Sequence, residues 1–130
     1  MMNIVWLVAG SLVLLASFIH AFVGDKEFQV LKPETDRPAK YGETWIQSRS
    51  GWHWVSVDLV LVGILLITMS ITSFINAETE IAILLCIYFL CCGMVWLATV
   101  FFSGMGISQV FRLGQWIFCF LVSGLIFLGL

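Results

Sequence analysis

The chain has 130 residues, of which 61% are apolar and only 11% charged, with a formal charge of −2. Soluble domains are about half apolar and about a quarter charged, so water is not the main solvent of this surface. No basic stripe marks a nucleic-acid partner, and no complete catalytic signature, c-type haem motif, zinc motif or CxxC pair occurs, which leans against an enzyme.

Four apolar segments run over about residues 3–23, 52–75, 80–102 and 108–130. Each reaches the roughly 20 residues that a bilayer core of about 30 Å demands of a helix. None shows the alternation of barrel strands. The expected fold is therefore all-α: an integral membrane four-helix bundle, up-down-up-down, forming a single transmembrane domain over 1–130. Met1 to Asn3 carry no basic residue and no A-x-A pattern follows the first segment, so it reads as a retained helix rather than a cleaved leader. Gly10, Ser17, Ala21 and Gly24 give that helix a small-residue face suited to close approach.

Between the first and second segments, 24–51 reads as one long loop, broken by Pro33, Pro38 and Gly42. It holds five basic residues (Lys26, Lys32, Arg37, Lys40, Arg49) and as many acidic ones (Asp25, Glu27, Glu34, Asp36, Glu43). In the second span Ser56, Gly63 and Ser70 recur every seven residues. Asn76–Thr79 is a tight turn, which predicts a hairpin of spans two and three. Ser103, Gly104, Met105 and Gly106 predict a second hairpin, of spans three and four. Tyr88, Cys92, Thr99 and Ser103 share a face of span three. Ser108, Arg112, Gln115, Cys119 and Ser123 make a polar stripe on span four. In lipid such stripes face other helices. Cys86, Cys91, Cys92 and Cys119 all lie in apolar segments and read as packing.

Five of the six Lys and Arg residues lie in 24–51, and the sixth, Arg112, follows the turn on the same side. The positive-inside rule then places 24–51 in the cytoplasm and both termini in the periplasm of a bacterial inner membrane. Trp45, Trp52 and Trp54 would mark the cytoplasmic interface and Trp6 the opposite one.

His20, His53, Asp58 and Arg112 fall near the cytoplasmic leaflet. Charges inside spans are costly and usually partnered. A buried polar cluster of Asp58, Arg112, Gln115 and Asp25 is expected, with an Asp58–Arg112 ion pair fixing helix register. His20 and His53 lie at similar depth on neighbouring helices. They could ligate a haem iron axially, hold a metal with Asp25 or Asp58, or line a quinone pocket.

His20-Ala-Phe-Val-Gly24-Asp25-Lys26, Pro33 and then Trp52-His53 resemble a group of small bacterial four-helix inner-membrane proteins with no assigned activity. These carry a His-x-x-x-Gly-Asp/Glu-Lys/Arg stretch at the end of span one and Trp-His at the start of span two. The resemblance covers the first half of the chain. It implies one cytoplasmic-side cluster of His20, Gly24, Asp25, Lys26 and His53.

The functional expectation is a small polytopic membrane protein, acting as a non-enzymatic accessory, assembly or interaction subunit. Its partners would be the bilayer and either copies of itself or a larger membrane complex. One alternative is a haem-, metal- or quinone-binding redox subunit using His20 and His53. A second is a small oligomeric channel or carrier using Asp58 and Arg112.

Overall fold

The structure, a computed structural model, describes residues 2–104 and 106–130. Met1 and Met105 lie outside the described residues. Every described regular element is a helix. Asn3 caps the first one: its side-chain oxygen accepts from the Trp6 amide at 3.1 Å, satisfying a donor that a helix start leaves orphaned. Helix α1 (Ile4–Phe18) winds through a π-helical turn (Ile19–Gly24) into α2 (Asp25–Val30). The three pieces form one rod of 27 residues. Helix α3 (Ala39–Ile71) follows Pro38 and is 33 residues long, about 50 Å at 1.5 Å per residue. Helix α4 (Glu78–Phe102) starts with two glutamates in its first turn, where the helix dipole favours negative charge.

The turn after α4 holds Gly104 and Gly106 at φ +71° and +85°, a region that side chains with a Cβ seldom enter. Helix α5 (Ser108–Arg112) is short. The chain breaks at Leu113–Gly114 before α6 (Gln115–Leu128) begins. The Trp116 indole donates across that break to the Val110 carbonyl at 2.8 Å.

Three helices are long and apolar enough to cross a membrane: Ile4–Val30, Ala39–Ile71 and Glu78–Phe102. By length and composition this is an integral membrane protein. The predicted fourth span, 108–130, is not one continuous helix. Its apolar part, α6, has 14 residues, about 21 Å. The loop predicted over 24–51 is also corrected. Most of it is helix, as α2 and the first turns of α3, leaving only 31–38 as a linker.

Helix α1 packs along α3, α4 along α6, and α1 also touches α6, while α3 and α4 scarcely meet. Helices α1, α3, α4 and α6 thus form an arc in the order α3–α1–α6–α4. The hairpin expected of spans two and three has no packed seam, whereas that of spans three and four does. The core gathers where all four helices converge: Trp6, Ala9 and Val13 meet Leu66 and Met69, Ala82 and Phe89, and Val122 and Ile126. Trp6 is therefore no interfacial anchor. It is buried, and its indole donates to the Ile126 carbonyl at 3.1 Å. Asn3 binds the same end together, its amide nitrogen donating to the Gly129 carbonyl at 2.8 Å and its backbone N–H to the Ser70 carbonyl at 2.9 Å.

The small-residue faces do what close helix packing requires. A Cβ on Gly10 would lie 2.9 Å from the Gly63 carbonyl oxygen, and one on Gly63 would lie 2.7 Å from Leu14. Ser17, Ser56 and Ser70 are buried. The polar stripe on span four fails because the α5–α6 break turns Ser108 and Arg112 off the α6 face. Only Ser123 is buried, donating to the Cys86 carbonyl at 2.8 Å. On α4 the inward face is Ala82, Leu85, Phe89, Gly93 and Val100, while Tyr88, Thr99 and Ser103 are exposed.

Candidate functional site

The ionisable residues that the structure brings together sit where α1 passes into α2, facing the middle of α3. The π turn carries His20. Its ring lies flat on the Trp52 indole, 3.8 Å between centroids and 9° from parallel. His20 Nδ1 is hydrogen-bonded to the Ser56 hydroxyl at 2.9 Å, and Trp52 Nε1 donates to the His20 carbonyl at 2.9 Å. Gly24 lies directly under the same indole; a Cβ there would run into the Trp52 ring. Glycine is therefore required by space and not by backbone angle, since Gly24 is helical.

One residue on, Asp25 receives two hydrogen bonds from Arg49, Nε to Oδ1 at 2.7 Å and Nη2 to Oδ2 at 3.0 Å. This is the paired-fork geometry that makes Arg–carboxylate bonds strong. His53 Nε2 adds a contact to Asp25 Oδ1 at 3.1 Å. Asp25 is half-buried and lies beyond the apolar run of α1. The Arg49 guanidinium holds its carboxyl down at about 2, with smaller help from Gln29 and His53. Arg49 also stacks over the Trp45 ring at 5.4 Å, and Trp45 Nε1 donates to the Phe28 carbonyl at 3.0 Å.

Trp45, Arg49, Trp52, His53 and Ser56 thus line one face of α3, all turned toward α1 and α2. The residues named by the resemblance meet here, apart from Lys26, which is exposed. Sequence reasoning named Trp45 as interfacial, Arg49 as a loop cation and Ser56 as part of a span-two face, but joined none of them to the site. For Trp45 and Arg49 the helical spacing to Trp52 and His53 was the available signal, hidden by reading 24–51 as loop.

The expected buried cluster of Asp58, Arg112, Gln115 and Asp25 does not form. Asp58, Arg112 and Gln115 are exposed, and the ion pairs among the described residues are Asp25 with Arg49 and Asp25 with His53. Asp58 lies on the side of α3 that looks toward Tyr88 and Cys92 of α4. Arg112 ends α5. The two do not pair within one chain because α5 departs from the α6 axis and α3 stands apart from α4.

His20 and His53 are each tied to protein partners, Ser56 and Asp25, and one face of His20 is covered by Trp52. The arrangement clamps α1–α2 onto α3. Among the described residues no group of three or more His, Cys, Asp and Glu is placed to hold a metal ion. No known family matches the chain, and no curated protein or solved structure is similar to it.

Proposed function

We propose that the chain is a non-enzymatic accessory or assembly subunit of a membrane complex in a bacterial inner membrane. It crosses the bilayer four times, the last time by the broken α5–α6 segment, with the charged end in the cytoplasm and both termini in the periplasm. The observation that carries this reading is Asp58. It lies within the apolar part of α3, exposed at the open α3–α4 edge, and makes no ion pair or hydrogen bond among the described residues. A carboxylate at the centre of a membrane helix costs about 2.5–3.5 kcal/mol, and Asp58, about 9 Å inside the start of the apolar run, bears part of that cost. A group outside the chain that meets it offsets that cost. The partner is a helix that presents a basic or hydrogen-bond-donating side chain at this depth, from a second copy or from another protein.

The test is native mass measurement of the full chain extracted from its own membrane in mild detergent. The wild type should emerge in a complex heavier than one chain, and Asp58→Leu should release it as a monomer that still folds. A monomeric wild type, or an Asp58→Leu protein that keeps its complex, overturns the reading.

A further inference from the structure

The fold leaves two opposite charges exposed in the apolar layer, Asp58 on α3 and Arg112 at the end of α5. Neither makes an ion pair among the described residues. Both border the open α3–α4 edge, since Asp58 faces α4 there and α5 packs on α4. The side chains of α4 that look toward Asp58, Tyr88 and Cys92, supply no counter-charge.

The ties at the Asn3 end give a common origin for depth. Asn3 is hydrogen-bonded to the Ser70 and Gly129 carbonyls, so those two residues lie level. From there Asp58 lies about 18 Å along α3, at 1.5 Å per residue. The Ser123–Cys86 hydrogen bond carries the scale across to α4 and places Cys92 at about 18 Å as well, in agreement with its facing Asp58. Helix α6 takes up about 21 Å of the same depth, and Arg112 stands just beyond its first residue, Gln115. Arg112 is thus a few Å further along than Asp58, a gap that a flexible arginine stem spans. Of the other cations, Arg49 is the nearest in depth, at about 32 Å from Ser70, and it is bound to Asp25.

Two copies inserted the same way up are related by an axis along the membrane normal, and a two-fold axis is the commonest symmetry of oligomers. Such an axis keeps every residue at its own depth. An ion pair between copies therefore needs its two members level, and Asp58 and Arg112 meet that condition.

We propose that the partner at Asp58 is a second copy of this chain, in a two-fold dimer in which Asp58 of each copy pairs with Arg112 of the other. The proposal rests on the reading of Asp58 as a partner contact and names that partner. Each copy offers both members, so the pair forms twice. Removing one member strands the other in apolar surroundings.

Two differently tagged forms of the full chain, co-expressed and captured in mild detergent, test it. The wild type should run as a dimer by native mass. Asp58→Asn alone and Arg112→Gln alone should each weaken dimerisation at least about tenfold, as loss of a close interfacial charge pair does. Co-expressed, the two variants should form a mixed dimer more readily than either pairs with itself, because the intact Asp58 of one meets the intact Arg112 of the other. A second readout keeps both charges. In Arg112→Lys, carbodiimide should couple position 112 to Asp58 of the other chain, found as a linked peptide in the dimer band. A mixed dimer no stronger than the single variants, an Arg112→Gln protein that dimerises like the wild type, or a dimer band without that link overturns the proposal. A complex that holds a different protein, depends on Asp58 and ignores Arg112→Gln overturns it too, and leaves the accessory-subunit reading standing. A monomeric wild type removes both.

Discussion

Gly24 and Trp52 show how much of the α1–α3 contact depends on a single missing methyl. The indole is held from two sides, by its hydrogen bond to the His20 carbonyl and by stacking on the His20 ring, so it cannot step aside cheaply. Gly24→Ala should destabilise the fold by about 1–3 kcal/mol through overpacking, read as a lower thermal midpoint in detergent. Gly124 provides the contrast, since a Cβ there meets nothing within 4 Å. Gly124→Ala should be neutral or stabilising by up to about 1 kcal/mol. Asp25 gives a pH signature. Its folded value of about 2 lies below its ordinary 3.8, so the contribution of its pairing is complete above about pH 4 and is lost as pH falls toward 2. Tryptophan emission should follow that loss in the wild type and stay flat over the same range in Asp25→Asn.

At the scale of elements, hydropathy marks where α3 enters the apolar phase and says nothing about where the helix starts. Between Pro38 and Trp52 only Gly42 and Gly51 oppose helix, at about 1 kcal/mol each. The Trp45–Arg49–His53 spacing, with its bonds to Phe28 and Asp25, outweighs them. Arg49 was therefore legible only to a reading that carried the helical period through charged sequence. The α1–α3 seam was legible, because in lipid small residues at helical spacing have few uses besides close approach. The α5–α6 break was not. Gly114 is a weak breaker alone, and the non-helical Leu113 (φ −102°, ψ 71°) that makes the kink has no sequence signature. Because the seam depends on two glycines facing one another, Gly63→Leu should separate α1 from α3, whereas Ile64→Leu on the exposed side of the same helix should not. A lower thermal midpoint in detergent for Gly63→Leu, with Ile64→Leu unchanged, reports the separation.

For the whole molecule, the arc leaves the two ends unlike each other. One end is tied tightly: Asn3 reaches both Gly129 and Ser70. The other is fastened through α1–α2 and α3 alone. Reporters fused at residue 2 and at residue 130 should therefore read the same compartment, and a tag inserted after Thr35 the opposite one. Tags that all report one side would remove the transmembrane arrangement. The same tie makes Asn3→Ala costly, by about 1–2 kcal/mol for the cap before its bond to Gly129 is counted, again seen in the thermal midpoint.

The brevity of α6 reaches past the protein itself. On the proposed four crossings, α6 is a hydrophobic rod of about 21 Å set in a core of about 30 Å, and the acyl chains along that flank would have to shorten. At fractions of a kcal/mol per Å of mismatch, such a lopsided dent would be a persistent elastic strain, which two such flanks would relieve by meeting. The molecule carries a sidedness in the plane of the bilayer that no charge on its surface encodes.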